Sequence, residues 1–356
     1  MPPEQQLFFM ARALSLAMRG RHTAPPNPWV GCVLVKEGKI VGEGYHQKPG
    51  LAHAEAMALQ AAGQQARGAT AFVTLEPCSH TGRTPACAHH LVEAGVAKVV
   101  IPFLDPDPQV SGRGVAILEN AGIEVEVGVG EQICRKALAP YIHHRKTGLP
   151  YVHLKVAASL DGRIAAEDGS SQWITNESAR EDVHQLRAYA QAILVGRTTV
   201  ENDRPSLTVR HPLLQAKPLR VVLDTHGILE STGPLFDSAL GETLLFSSKA
   251  VTKEGAEVVK TPLKEGCLDL LFVLKELGKR GVLELLVEGG SKVWTAFIKE
   301  RLAQKLTLYQ GDKLLGLGPT WLGAIGVTSI EGSLQLQLQE SAEFEGNLKA
   351  TYLFDT

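Results

Sequence analysis

The sequence predicts an α/β protein made of two domains, each a sheet with helices packed on it. Three observations carry this expectation. A chain of 356 residues exceeds what one hydrophobic core usually serves. Strand-like and helix-like patterns alternate through both halves. Between the halves, His143-His144-Arg145-Lys146-Thr147-Gly148-Leu149-Pro150 is polar, basic and closed by Gly and Pro, which reads as a solvated linker.

In the first half, Leu7, Met10, Leu14 and Met18 place apolar side chains on one face of a helix over Glu4–Arg19. Trp29–Lys36 and Lys39–Tyr45 read as strands joined by the turn residues Glu37-Gly38. Ala54–Ala62, rich in Ala, Met and Leu, favours a helix. Thr70–Leu75 follows as a strand. Thr84 then offers an N-cap and Pro85 a first-turn residue before the periodic run Ala88–Ala94. A strand over Lys98–Pro102, a helix near Val115–Ala121 and a strand over Ile123–Val127 complete the half, which implies a mixed sheet. Asp105-Pro106-Asp107-Pro108 through Gly112 and Gly114 reads as a loop over a sheet edge, either a plain connection or a substrate wall.

The second half starts with a strand over Tyr151–Ala157. A helix over Glu177–Ala188 follows, and Ala179, Val183, Leu186 and Ala190 form the stripe that meets a sheet. Ala192–Val195, Leu219–Leu223 and Leu283–Val287 read as strands. Val287-Glu288-Gly289-Gly290-Ser291 puts two glycines where a strand ends and a helix over Lys292–Lys299 begins. Such a turn presents free N–H groups to a phosphate, although close packing alone also uses it. Gly196–Arg210, dense in hydroxyls and charges, leaves the carboxyl end of a strand, where α/β sheets hold ligands. It reads as a loop. Neither a Rossmann fingerprint nor a Walker loop is present.

With 36 basic and 38 acidic side chains, the net charge of −2 gives no footprint for nucleic acid or an anionic membrane. Five cysteines do not make a secreted disulfide framework. The start of the chain has neither a long apolar core nor a small-residue cleavage site, and no stretch nears ~18 consecutive apolar residues. A cytoplasmic location is expected.

The chemistry concentrates in His53-Ala54-Glu55, Pro77-Cys78 and, after eight intervening residues, Cys87. An imidazole and two thiols are three zinc ligands that leave a fourth position open for water, with a carboxylate beside it. Inside a regular helix His53 and Glu55 would point about 200° apart, so they share a site only at a helix start. Cys87 in the first turn of a helix has its thiolate favoured by the dipole. Cys32, in an apolar run, and Cys134 and Cys267, read within helices, are core or surface thiols.

Taken together, the motifs resemble the bifunctional riboflavin-biosynthesis deaminase-reductases of bacteria over nearly the whole chain. Asn27-Pro28, His46, His53-Ala54-Glu55 and Thr74-Leu75-Glu76-Pro77-Cys78-Ser79-His80-Thr81-Gly82-Arg83-Thr84-Pro85-Ala86-Cys87 resemble the deaminase half. Leu154-Lys155, Ala158-Ser159-Leu160-Asp161-Gly162, Ser171-Gln172-Trp173-Ile174-Thr175, Gly196–Arg210 and Val287–Ser291 resemble the reductase half. The resemblance implies a cytidine-deaminase-like α/β/α domain over 1–146 and a dihydrofolate-reductase-like α/β domain over 147–356.

It further implies zinc on His53, Cys78 and Cys87, with Glu55 shuttling protons. Asn27, His46, His80 and Arg83 would contact the first substrate, a diaminopyrimidinone ribosyl phosphate. In the reductase half, substrate contacts fall on Ser171, Arg187, Leu207, Arg210 and Glu288. NADPH contacts fall on Ala157, Trp173, Thr199, Asp203, Thr225 and the turn Gly290, Ser291, Lys292, Val293, Trp294 and Thr295. Lys155 is assigned a role at the sugar oxygen, and family likeness suggests a dimer. Ala86, where a second proline is usual, and Gln310-Gly311-Asp312, where Ala-Pro is more frequent, depart from the pattern.

Two other readings fit less well. A nucleic-acid base deaminase wants a basic, aromatic-lined groove, whereas this chain is slightly acidic with aromatics at 6%. A structural zinc module closes its metal with four protein ligands, and no fourth partner has zinc spacing near Cys78 and Cys87.

Overall fold

In the computed structural model, residues 1–79, 86–108 and 110–355 are described. The chain forms two compact units, Met1–Gly148 and Leu149–Thr356.

In the first unit α1 (Pro3–Arg19), β1 (Gly31–Lys36), β2 (Lys39–Tyr45), α2 (Ala54–Ala62), β3 (Thr70–Val73), α3 (Cys87–Ala94), β4 (Lys98–Ile101), α4 (Arg113–Asn120) and β5 (Glu124–Val127) follow the expected order. The five strands run β2-β1-β3-β4-β5, with β1 antiparallel to β2 and β3 and the other pairs parallel. Cys32 and Leu34 face α2, α3 and α4 in one core through Ala54, Ala58, Leu91 and Leu118. On the opposite face Phe9 of α1 meets Phe72 of β3, ring centroids 5.4 Å apart. The result is an α/β/α sandwich. Helix α2 lies unusually close to β2, because a Cβ on Gly44 would fall 2.4 Å from the Ala54 carbonyl oxygen and one on Gly42 2.2 Å from that of Ala58. Only glycine allows this approach, which sets where α2 starts.

Two further helices, α5 (Glu131–Ala137) and α6 (Ala139–Thr147), end the unit. The expected linker is therefore largely helix: Pro140 occupies the first turn, Tyr141 is buried, and Gly148 caps the end in the left-handed conformation at φ 72°. Burial of Tyr141 orders a segment whose polar sequence reads as solvated, and the units divide after Gly148 rather than after residue 146.

In the second unit β6 (Tyr151–Ala158), α7 (Glu177–Tyr189), β7 (Ala192–Gly196), α8 (Arg197–Asp203), β8 (Leu219–Leu223), β9 (Thr243–Ser247) and β10 (Glu257–Lys260) are followed by a small hairpin of β11 (Leu263–Lys264) and β12 (Cys267–Leu268). Then come α9 (Leu270–Lys279), β13 (Glu284–Val287), α10 (Ser291–Lys299), β14 (Lys305–Gln310), β15 (Leu336–Phe344) and β16 (Asn347–Phe354). Nine strands form one sheet, β10-β9-β8-β7-β13-β6-β14-β16-β15, parallel up to β14 and antiparallel beyond it. Leu154, Leu194, Leu285 and Val287 meet α9 and α10 through Val273, Leu277 and Phe297 on one face. On the other, Ile193, Val195 and Leu286 pack with Val200 of α8 and Leu207.

Two expectations are corrected here. Part of Gly196–Arg210 is helix, since Val200 is buried and anchors one turn to the sheet. Cys267 lies exposed in strand β12, not in a helix; Asp269 caps α9 by accepting from the Leu271 and Phe272 amides, so the helix starts only after it. No helix among the described residues is long and apolar enough to cross a membrane.

Candidate active sites

The first centre is built on two helix starts. His53 is the N-cap of α2, with extended backbone at φ −74° and ψ 166°, so its side chain leaves the helix axis instead of following it. Glu55 sits in the first turn and is 3% exposed. Cys87 is the first residue of α3 and Ala86 its N-cap. Thr84 and Pro85, expected to open this helix, lie outside the described residues, as do His80 and Arg83.

His53 Nδ1 lies 3.2 Å from Cys87 Sγ and 3.7 Å from Cys78 Sγ. The backbone N–H of Cys87 donates to Cys78 Sγ at 3.3 Å. All three candidate ligand atoms fall within 4.8 Å of one another. A tetrahedral zinc, with Zn–S of about 2.3 Å and Zn–N of about 2.0 Å, separates such atoms by roughly 3.5–3.8 Å, so the set fits it. Hydrogen bonding from Cys87 and His53 holds the Cys78 thiol well below the ordinary thiol range despite burial. Burial, reinforced by the charge on Cys78, pushes the Glu55 carboxyl up to about 7.

Asn27 and His46 stand beside this centre. His46 Nδ1 is 3.2 Å from the Ala52 carbonyl oxygen, which only accepts, so Nδ1 carries the proton. His46 Nε2 then accepts from Asn27 Nδ2 at 3.1 Å. Burial lowers the His46 pKa, which keeps the ring neutral. The ring lies edge-on to that of His53, centroids 5.1 Å apart.

Sequence reasoning passed over Glu76 as a separate participant. Its buried carboxylate accepts backbone N–H bonds from Asp105 (2.9 Å), Gly112 (3.0 Å), Gly114 (2.9 Å) and Val115 (3.3 Å). It thereby fastens the 105–115 loop and the start of α4 next to Cys78. The available signal was an acidic residue adjoining a ligand, with a glycine-rich loop downstream.

The second centre is a cleft of ≈ 1250 Å³ at the carboxyl ends of the parallel strands. Lys155 and Ala157 of β6, Ser171 and Trp173 of the following loop, and Arg187 of α7 line it. So do Thr199 and Asp203 of α8, then Leu207, Arg210, Thr225 and Glu288, and the turn from Gly290 to Trp294. Thr295 does not join that wall: one position further around α10, its hydroxyl accepts the Gly323 amide at 2.8 Å.

At the floor of the cleft Arg187 forks onto Glu288, Nε to Oε1 at 2.6 Å and Nη2 to Oε2 at 2.8 Å, and Nη1 reaches the Thr208 carbonyl. Burial alone would raise the Glu288 pKa, but Arg187 outweighs it and holds the carboxyl down to about 2. Lys155 is lowered by burial, with Glu288 opposing and Arg187 adding to the shift. His184 Nδ1 accepts the Arg210 amide at 3.1 Å. Burial and then the charges of Arg187 and Arg210 push His184 down to about 4, which keeps it an acceptor.

The glycine turn between β13 and α10 is geometrically required. A Cβ on Gly289 would stand 2.6 Å from Val195 Cα, and Gly290 adopts φ 71° and ψ 144°, a region open to glycine alone. Ser291 then starts α10 at the cleft, where the positive end of the helix is a fit for a phosphate.

Comparison with known proteins places these two centres in context. Residues 3–102 match the cytidine and deoxycytidylate deaminase zinc-binding region, and residues 150–349 match the RibD C-terminal domain. The chain is 44% identical over 327 residues to riboflavin biosynthesis protein RibD of Escherichia coli, covering 88% of this chain and 89% of that protein. It is 47% identical over 324 residues to the protein of that name from Chlamydia trachomatis, covering 88% and 86%. Among solved structures, RibD of Acinetobacter baumannii superposes with a TM-score of 0.90 at 37% identity over 100% of both chains. The diaminohydroxyphosphoribosylaminopyrimidine deaminase/5-amino-6-(5-phosphoribosylamino)uracil reductase of Thermotoga maritima does so with a TM-score of 0.91 at 33% identity over 99% of both.

Proposed function

The chain belongs to the bifunctional riboflavin-biosynthesis deaminase-reductase family, and on that premise we propose how its two units divide two successive reactions on one pyrimidine ribosyl phosphate. The first unit hydrolyses the exocyclic amine of 2,5-diamino-6-ribosylamino-4(3H)-pyrimidinone 5′-phosphate. The second reduces the ribosyl group of the product to ribityl with NADPH. The enzyme carries zinc in the deaminating unit and uses NADPH in the reducing one.

His53, Cys78 and Cys87 would hold the zinc, which would supply Lewis acidity to an attacking water. Glu55 does the proton work. It takes a proton from that water as the oxygen bonds to the ring carbon and delivers it to the ring nitrogen, then takes the remaining hydroxyl proton of the adduct and passes it to the amine, so that the carbonyl forms, the C–N bond breaks and ammonia leaves. Burial favours the protonated carboxyl, so Glu55 can hold the proton it takes before passing it on. Asn27 and neutral His46 orient the pyrimidine, and His80 and Arg83 complete its binding, with Arg83 as a forked donor to the phosphate.

In the second unit Arg187 and Glu288 form a rigid floor, and with Ser171, Leu207 and Arg210 they seat the substrate. Ala157, Trp173, Thr199, Asp203 and Thr225, together with the start of α10, would hold NADPH. NADPH would supply the hydride that reduces the anomeric carbon as its bond to the ring oxygen breaks, and Lys155, which lines the cleft, would protonate that oxygen. We place the enzyme in the cytoplasm as a homodimer, readings supported by family likeness.

The observation that carries the reading is the convergence of His53, Cys78 and Cys87 beside a buried carboxyl. Ammonia release from the pyrimidine ribosyl phosphate, with NADPH oxidation followed in the same tube, tests it.

A further inference from the structure

The segment whose sequence reads as a linker carries a side chain that joins both walls of the first centre. Arg145 lies in the last turn of α6. Its Nη2 donates to the carbonyl oxygen of Pro26 at 3.3 Å, and Pro26 immediately precedes Asn27, the partner of His46. Its Nε stands 3.7 Å from Asp107 Oδ2. Asp107 belongs to the loop that Glu76 clamps two residues before Cys78.

A second residue of α6 reinforces the contact. Tyr141 donates its hydroxyl to Asp105 at 3.1 Å, Asp105 accepts the Asp107 amide at 2.8 Å, and the Asp105 amide itself binds Glu76. The Arg145 guanidinium lies over the Tyr141 ring, 5.1 Å from its centroid. A continuous path therefore runs from Asn27 through Pro26, Arg145, Asp107 and Asp105 to Glu76 and Cys78. The delocalised guanidinium donates one hydrogen bond to the Pro26 carbonyl and holds its charge against the Asp107 carboxylate, a combination a lysine reproduces only in part.

We propose that Arg145 is a positioning residue for deamination, one that holds the loop bearing Asn27 in register with the loop anchored on Glu76. The inference rests on reading Met1–Gly148 as the deaminating unit. Wild-type ammonia release reports on that reading, and the variants below report on the inference.

Arg145→Met removes the guanidinium, with its contacts to Pro26, Asp107 and the Tyr141 ring, and keeps an unbranched side chain. It should raise the KM for deamination on the order of tenfold with kcat little changed, the pattern expected when an interaction that serves ground and transition states alike is lost. Zinc content and NADPH-dependent reduction of supplied deaminated intermediate should stay at wild-type values. Arg145→Lys should recover only part of the affinity. Asp107→Asn should raise the KM similarly, and the double variant should be no worse than either single one. An unchanged KM in Arg145→Met, additive effects in the double variant, or loss of zinc along with the KM change would each overturn the proposal. Should Arg145→Met fail to fold, Arg145→Lys against Asp107→Asn carries the same comparison.

Discussion

The backbone N–H of Cys87 donates to the sulfur of Cys78 at 3.3 Å, so the first amide of α3 steadies one candidate metal ligand while its own side chain supplies another. The two sulfurs are thereby fixed relative to each other by the start of a helix. His53, at the start of α2, completes the set from the other side.

Cys87→Ser keeps this helix start but replaces a thiolate with a hydroxyl that remains protonated at neutral pH. Zinc per chain should fall from about one to a small fraction, and ammonia release should fall with it. Reduction of supplied deaminated intermediate should continue at the wild-type rate. Metal analysis beside the two assays checks this; full zinc occupancy in the variant would count against Cys87 as a ligand.

Much of this centre was legible because it depends on local rules. Ala54–Ala62 has the composition of a helix, and a helix start is the only place where His53 and Glu55 converge. The role of Glu76 was not legible, since the four amides it binds lie 29 to 39 residues downstream. Nor was α6, because its polar sequence forms a helix only once Tyr141 is buried and bonded to Asp105. Strand β16 pairs with the distant β14 and β15 pairs with β16, and an antiparallel closure of that length leaves little local trace. Which side of α10 faces the cleft depends on packing, so the placement of Thr295 against the Gly323 amide left no local signal.

Arg187 and Glu288 test the reducing unit. Arg187→Met leaves a buried carboxylate without its partner, which costs roughly 3–5 kcal/mol in such pairs. Thermal unfolding of the second unit should drop, and reduction should fall while ammonia release continues. The Glu288 pKa is depressed to about 2 in the folded chain, below its ordinary 4.5. Its contribution to stability is thus complete above pH 4.5 and is lost as pH falls toward about 2. An acid titration of unfolding, wild type against Arg187→Met, should show the wild-type advantage shrinking across that window; a constant difference would contradict the pairing.

The glycine turn gives a graded pair of variants. Gly290→Ala forces a side chain into a backbone region reserved for glycine, at a cost of about 1–3 kcal/mol. It should lower the unfolding temperature of the second unit and raise the KM for NADPH while leaving deamination intact. Gly289→Ala should be worse, because its Cβ would meet the Val195 backbone at 2.6 Å. Equal and negligible effects of both on NADPH would argue against a cofactor phosphate at the start of α10.

Glu55→Gln bears most directly on the whole account, since it preserves shape and removes only the proton-carrying group. Purified variant and wild type are supplied with the pyrimidine ribosyl phosphate, then separately with its deaminated product, and zinc, ammonia and NADPH oxidation are measured. The expected result is full zinc, ammonia release reduced by ~10²–10⁴-fold or more, and wild-type NADPH oxidation on the deaminated product. Ammonia release at the wild-type rate from Glu55→Gln would contradict the assignment of proton transfer to this carboxyl.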